Sequence, residues 1–471
     1  MVGVPGRSKG CQNCRRRHVK CDLKKPQCGQ CTKSQLACGG PLDLAFVVYD
    51  GAHSRDEHKP STSNDPGTSL VKHKKEASRP GSFEAVFSLP QARDEVFTAF
   101  TRHHLLPENG HIVVPRDAGG SITTRCFQAL SYTYFGVKHH DQYITQDGLA
   151  KYGRALGVLN GTLAKPQAAH SFDVLGSVTI MAIIEFLVSN HEDGWMNHAR
   201  GLERLFEIRG ARRMMSLPCL MILEQTRPAI IFAAIVLHKS TILASPGWKT
   251  LPWSLHPEHI DDRKKLFDIL SDCPDLFVTR DRVSKFVDGS QIINAMQNLA
   301  TKARSILHDL ELWGQDWDSD VSHLCVELPS PSSTPTFLDP TGHEVPIWST
   351  ILQYKSVHDH NALTVYNGAL ILVLQFILSL DIATDQHDHA QRLQARVHEA
   401  GIVICRSVEY HYGRPSGERG SFFLLFPLRM AYDAVGKSSP AIGAWLRGKL
   451  DEIATGKRGT WKSAKTLLEI R

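Results

Sequence analysis

The chain has 471 residues, 42% hydrophobic and 22% charged, a balance typical of soluble globular proteins and a length too great for one ordinary core. No run of eighteen unbroken apolar residues occurs; the nearest candidate, Ala369–Leu380, is short and carries Gln375, so it is expected to be a buried helix, and no membrane partner is expected. The formal net charge of +6 is concentrated at one end: residues 1–40 hold nine Lys/Arg against Asp22 alone, or +8, and the other 431 residues sum to −2. A basic patch on a slightly acidic body points to a polyanionic partner engaged at that end.

The first ten residues, MVGVPGRSKG, lack the apolar core of a secretory signal, and Val2 in place of Gly excludes N-myristoylation. An intracellular, reducing setting is therefore expected, where clustered cysteines point to metal chemistry rather than disulfides. The cluster follows at once. CQNCRRRHVKCDLKKPQCGQC runs from Cys11 to Cys31, and Cys38 completes it. The spacing is C-x2-C-x6-C-x6-C-x2-C-x6-C, one C-x2-C-x6-C unit used twice.

A structural zinc takes four tetrahedral thiolates. One unit supplies three, and two separate zincs would need eight where six are present. The count closes if two cysteines each bridge both metals. By the internal symmetry these should be Cys11 and Cys28, which open the two units. One zinc would then use Cys11, Cys14, Cys21 and Cys28, and the other Cys28, Cys31, Cys38 and Cys11. So short a segment has too little apolar surface for its own core. Structural zinc contributes roughly 10–16 kcal/mol of apparent binding energy in comparable modules, so two Zn²⁺ are expected to supply the fold.

Between its second and third cysteines the first unit reads RRRHVK and the second TKSQLA. Both suit a short helix, and only the first is strongly basic. The first helix is expected to enter the major groove of double-stranded DNA, where Arg and Lys bond guanine O6 and N7, with the second as scaffold. Pro26 suits a tight turn between the units.

Residues 10–38 resemble the fungal Zn₂Cys₆ binuclear zinc-cluster domain, through the six cysteines, the basic run, KCD at Lys20–Asp22 and KPQC at Lys25–Cys28. The resemblance implies a nuclear, DNA-binding regulator of transcription, usually at CGG-type triplets. It places Arg17 and His18 nearest the bases, with His standing where the family commonly has Lys. Arg15, Arg16 and Lys20 are the expected phosphate contacts, with help from Lys9, Lys24 and Lys25. Phosphate contacts set register and most of the affinity, and base contacts set specificity.

After the short apolar stretch that ends in LAFVVYD, residues 51–82 are rich in Ser, Pro, Asp, Gly and Lys without a periodic apolar face, so a flexible linker is expected over 41–82. No sustained heptad follows the cluster, which leaves binding as a monomer or as a homodimer through the large domain both open. From residue 83 to 471 the apolar spacing is helical. Helices are expected at 92–105, 121–136, 145–163, 172–189, 194–209, 220–243, 262–271, 289–313, 361–382, 388–411, 420–436 and 440–453. Segment 172–189 shows a broad apolar stripe of Phe172, Leu175, Val178, Ala182, Ile183, Phe186 and Leu187. The fold class expected is mainly α: a zinc module at 1–40, a linker at 41–82 and an all-α domain at 83–471.

Within that domain, Trp195, His198, Gly201, Leu205, Arg209 and Gly210 form a pattern similar to the fungal-specific transcription factor domain found downstream of zinc clusters. Physically, Gly210 reads as a helix C-cap, and Trp195 with His198 as a packing pair. Residues 314–346, rich in Asp, Ser and Pro, are expected to form a long surface loop; an acidic activation segment around Trp317, Leu324 and Val326 is the alternative.

No phosphate loop, G-x-S-x-G, H-E-x-x-H or paired metal ligands occur in suitable context beyond the cluster, so an enzyme is not expected. Cys126, Cys219, Cys273, Cys325 and Cys405 share no ligand spacing. The helical domain is expected to regulate, through dimerisation, coactivators or a small-molecule effector, and the family resemblance suggests control of a metabolic or biosynthetic gene cluster. The competing class is a zinc-stabilised protein-interaction module on a helical scaffold. One consequence is measurable directly. A neutral imidazole at His18 donates one hydrogen bond and an imidazolium two, so DNA affinity should change between about pH 6 and pH 8; a flat profile there removes the pH-sensitive reading.

Overall fold

The computed structural model describes parts of residues 13–38, residues 90–105 and, with short gaps, residues 120–464. Cys11, Lys9, Arg15, Arg16, His18, Lys24, Lys25 and the expected linker at 41–82 lie outside the described residues. Contacts divide the chain into two compact units, Met1–Val48 and Tyr49–Arg471.

In the first unit, helix α1 spans Gly29–Lys33, and Asn13 and Cys14 lie in a helical turn of their own. The second unit is helical: α2 (Pro90–His104), α3 (Ile122–Lys138), α4 (Gln142–Leu163), α5 (Phe172–Val188), α6 (Gly194–Arg209), α7 (Leu217–Val236) and α8 (Pro246–Thr250). Then come α9 (Asp262–Leu270), α10 (Pro274–Val283) and the long α11 (Gly289–Ser319). Four short strands follow, β1 (Val326–Pro329), β2 (Thr336–Leu338), β3 (Glu344–Pro346) and β4 (Thr350–Gln353). The chain closes with α12 (Val357–Leu380), α13 (His387–Ser407), α14 (Glu409–Tyr412), α15 (Leu425–Ala431) and α16 (Pro440–Thr455).

Helix starts follow local chemistry. Ser121, Asp141 and Asp261 each accept the backbone N–H three residues on, capping α3, α4 and α9 at 3.1, 3.0 and 2.7 Å. Asp173 on α5 adds a cap from outside, accepting from Ile122 N and Thr123 N at 3.0 Å each. Burial raises the pKa of this carboxyl, but the hydrogen bonds from Thr123 and Ile122 outweigh it and hold the group below its ordinary value.

Two helices form the centre. The sequence gives α5 an apolar stripe, yet its burial extends nearly all round, adding Val174, Ile180, Met181 and Ile184. A helix apolar on every side is packed on every side, here against α3, α6 and α7. Helix α12 plays the same part among α11, α13 and α15. Helices α7 and α12 are long and apolar enough to cross a membrane by length and composition alone, and each is more than half buried inside this domain. A buried guanidinium ties α7 to α9: Arg227 pairs with Asp268, donates to Lys264 O at 3.2 Å and lies over the Trp253 ring at 5.3 Å.

Three sequence expectations change. The segment expected at 220–243 ends at Val236, because His238 takes φ +47° and Lys239 N turns back to Ala234 O at 3.0 Å. Helix α10 lies outside the expected set, its ten residues PDLFVTRDRV holding as many charged as apolar positions. The long loop expected at 314–346 divides differently: α11 runs on to Ser319, with Trp317 buried and stacked on Trp313 at 5.0 Å, and residues 326–353 form a hairpin arm.

Helices α3 and α4 approach at two glycines. A Cβ at Gly148 would lie 2.5 Å from Thr133 N, and one at Gly136 2.5 Å from Thr145 N. Gly148→Ala must therefore push backbone against backbone and should destabilise the domain by about 1–3 kcal/mol, read as a lower denaturant midpoint. Gly157→Ala on the same α4 helix meets nothing within 4 Å and should instead stabilise by about 0.5–1 kcal/mol through helix propensity, the opposite sign.

Candidate metal centre and nucleic-acid interface

The two cysteine units fold alike. In the first, Val19 N donates to Cys14 O at 3.0 Å; in the second, Leu36 N donates to Cys31 O at 3.0 Å. Each bond links the second cysteine of its unit to the residue five positions on, so the repeat in sequence is a repeat in backbone. Cys28 is the N-cap of α1, and its Sγ accepts from Cys31 N at 3.4 Å. N–H groups aimed at sulfur favour a thiolate, the form that binds metal.

Cys14, Cys28 and Cys31 are fully buried, with Cys21, Leu36 and Cys38 packed around them. The sulfurs of Cys14, Cys28 and Cys31 all lie within 4.8 Å of one another. A second group within the same limit joins Cys21, Cys28 and a carboxylate oxygen of Asp22. Cys28 thus belongs to both groups and meets thiols of both units.

The donor set fits zinc. Tetrahedral coordination at a Zn–S distance of about 2.3 Å sets ligand sulfurs about 3.8 Å apart. Cys14 Sγ and Cys28 Sγ are 3.6 Å apart, which suits a shared metal and is far too long for a disulfide. Among the described residues, every close group of three possible ligands lies in this module.

Sequence reasoning gave Asp22 no physical role. Its carboxylate oxygens sit 2.9 and 3.1 Å from Gly29 N, so Asp22, one residue past Cys21, caps the helix that begins one residue past Cys28. This strap joins the two units beside the sulfurs. Gly29 gives it room, since a Cβ there would lie 2.6 Å from Asp22 Oδ2. The available signal was an acid placed seven residues before a glycine at a helix start. Arg17 and Lys20, of the residues expected to contact DNA, fall among the described ones, and both are exposed, pointing charge away from the buried sulfurs.

In the large domain Trp195 and His198 are buried. Trp195 stacks on Phe186 at 5.2 Å, and His198 Nε2 lies 3.4 Å from Tyr152 Oη and 3.8 Å from Glu185. Both side chains pack α6 onto α5 and α4, as expected of a packing pair. Gly210 ends α6 with φ +76°. Burial pushes the Cys126 and Cys273 thiols up to about 12 and raises that of Cys405, so these sulfurs stay protonated and poorly nucleophilic at neutral pH.

A doubled C-x2-C-x6-C backbone converging on a shared cysteine, with cations turned outward, defines a two-metal thiolate module of the kind seen in fungal zinc-cluster proteins. Residues 9–42 match the fungal Zn(2)-Cys(6) binuclear cluster domain, which binds two zinc ions. Three relatives share parts of the sequence. An uncharacterized protein of Emericella nidulans is 30% identical over 139 residues, 29% of this chain and 30% of that protein. Arginine metabolism regulation protein II of Saccharomyces cerevisiae is 58% identical over 38 residues, 7% of this chain and 4% of that one. Sterol uptake control protein 2 of Candida albicans is 57% identical over 30 residues, 6% and 4% of the two chains. The chain therefore spans under a third of each of these relatives. No solved structure matches.

Loss of the strap has a defined signature. Asp22→Ala should speed zinc release to a chelator by about tenfold, the equivalent of one hydrogen bond to a charged group, and Asp22→Asn, which keeps an acceptor, should restore most of the difference. Gly29→Ala should behave like Asp22→Ala, because its Cβ displaces the same carboxylate.

Proposed function

We propose that the protein is a nuclear, zinc-dependent, sequence-specific DNA-binding regulator of transcription, and not an enzyme. The observation that carries this reading is the convergence of Cys14, Cys21 and Cys31 on Cys28 beneath the exposed Arg17 and Lys20. Two Zn²⁺ with six thiolates carry a net −2, and the nine Lys/Arg of residues 1–40 exceed that and leave positive charge for a polyanion. The names of the relatives, which speak of arginine metabolism and sterol uptake, support a regulator of metabolic genes.

The zincs use Cys11, Cys14, Cys21 and Cys28, and Cys28, Cys31, Cys38 and Cys11, with Cys11 and Cys28 bridging. The basic segment that follows Cys14 is the part that enters the major groove. Arg17 and His18 read a CGG-like triplet, while Arg15, Arg16, Lys20, Lys9, Lys24 and Lys25 hold phosphates. The linker at 41–82 connects this module to the regulatory helical domain at 83–471. Homodimerisation, coactivators and a small-molecule effector are the routes by which that domain would act.

Selection of sites from random DNA by the full chain, with zinc and with chelator, tests the reading. Zinc-dependent enrichment of a CGG-like triplet supports it, and a pair of triplets at fixed spacing identifies a dimer. No enrichment with two zincs bound overturns it in favour of a zinc-stabilised protein-interaction module. Cys28→Ala removes a ligand from both metals and should abolish folding of the module; retention of two zincs by that variant would refute the bridge. Arg17→Ala should cost about 1–3 kcal/mol at the preferred site and relax its specificity, whereas an equal loss on random DNA makes Arg17 a phosphate contact.

A further inference from the structure

A cleft opens in the helical domain between α6 and the end of α7. It encloses about 300 Å³, the lower end of the range for small-molecule sites. The turn after α7 builds one side of it. His238 takes φ +47° and Lys239 N returns to Ala234 O at 3.0 Å. The chain then reaches Glu203 of α6, which accepts from Thr241 Oγ1 at 2.6 Å and from Ile242 N at 3.0 Å. The turn is thereby clasped to α6, and residues of both line the cleft.

The lining divides in two. Ile230, Ala234, Leu237 and Ile242 form an aliphatic part, with Ile230 and Ala234 buried. The rest is charged. Arg204 and Glu207 pair with each other, which leaves Arg200, Lys239 and Glu203. Arg200 and Lys239 are exposed, and among the described residues neither side chain has a hydrogen bond or an ion pair. Both hydrogen bonds to the Glu203 carboxyl end on Oε1, so Oε2 keeps its acceptor capacity. Burial raises the pKa of this carboxyl above its ordinary value, against the hydrogen bonds from Thr241 and Ile242. A carboxylate in that position is stabilised by a cation brought beside it.

Two cations, one acid and an aliphatic floor match the three parts of one small molecule. We infer that the cleft is a binding site for a free α-amino acid with an aliphatic side chain. Its carboxylate meets Arg200 and Lys239, its ammonium meets Glu203 Oε2, and its side chain covers Ile230, Ala234, Leu237 and Ile242. A plain anion leaves Glu203 without a counter-charge, and a plain amine leaves Arg200 and Lys239 without one; a zwitterion supplies both. The regulatory meaning of such binding rests on the function proposed above, in which the amino acid is the small-molecule effector, but the binding itself involves neither zinc nor DNA.

Calorimetric titration of the full chain with leucine, in the absence of DNA, tests the assignment. Two analogues accompany it: isocaproate, which lacks the ammonium, and isoamylamine, which lacks the carboxylate. Saturable binding of leucine supports the site if each analogue binds at least about tenfold more weakly and if Lys239→Met and Glu203→Gln each weaken leucine binding about tenfold. Lys239→Met alters an exposed side chain and Glu203→Gln keeps the Oε1 acceptor, so thermal unfolding without ligand should hold in both. Ala234→Leu fills the floor of the cleft and should abolish binding. No saturation up to about 10 mM leucine overturns the assignment, as does leucine binding unchanged in all three variants. Equal binding of isocaproate overturns it in favour of a simple anion site. Site selection from random DNA stands or falls apart from each of these results.

Discussion

Six thiols must fill eight coordination positions, and that shortage shapes the N-terminal module. Sharing is possible only if the two units approach closely, and Cys28 stands where they meet, near Cys14 and Cys31 on one side and Cys21 on the other. The sulfurs consequently take the interior that a larger domain would give to leucines. Cations cannot enter that interior and are left on the surface. The basic charge and the metal site are therefore two aspects of one packing problem, with the Asp22–Gly29 strap closing the remaining gap beside the sulfurs.

The helical domain solves a different problem. Its length permits a conventional core, built on helices apolar all round, with α5 and α12 each enclosed by neighbours. Two of the polar groups in that core are well accompanied. Arg227 has Asp268 and the Trp253 ring, and His360 Nε2 has Ser407 O at 3.0 Å and a stacked Tyr410. A buried charge left without such partners would cost several kcal/mol, so these groups act as internal ties. The buried thiols of this domain are held protonated, the opposite state from that which zinc demands of the cluster cysteines.

Much of this was legible in the residues. The period of the apolar residues in α5 or α13 survives in any window, so those helices could be read without their neighbours. What escaped depends on contacts distant in sequence or on unusual backbone. Helix α10 is only ten residues long and holds as many charged as apolar positions, so its packing against α11 and α7 left no clear stripe to read. His238 ends α7 in a conformation normally marked by glycine. The hairpin arm was masked by prolines and by strands of three or four residues, too short to show alternation. At the metal centre the ligands were evident from spacing, whereas Asp22 and Gly29 interact across seven positions with no repeating pattern.

The matched bonds from Val19 to Cys14 and from Leu36 to Cys31 carry a consequence for how such a module can change over generations. Both halves owe their shape to main-chain hydrogen bonds and buried sulfur, which place few demands on the outward residues between the cysteines. Arg17 and Lys20 in one half, and Lys33 in the other, are exposed and can be exchanged without disturbing the frame. The duplication thus separates heredity of shape from heredity of reading: one half can drift toward a new target while its twin keeps the fold intact.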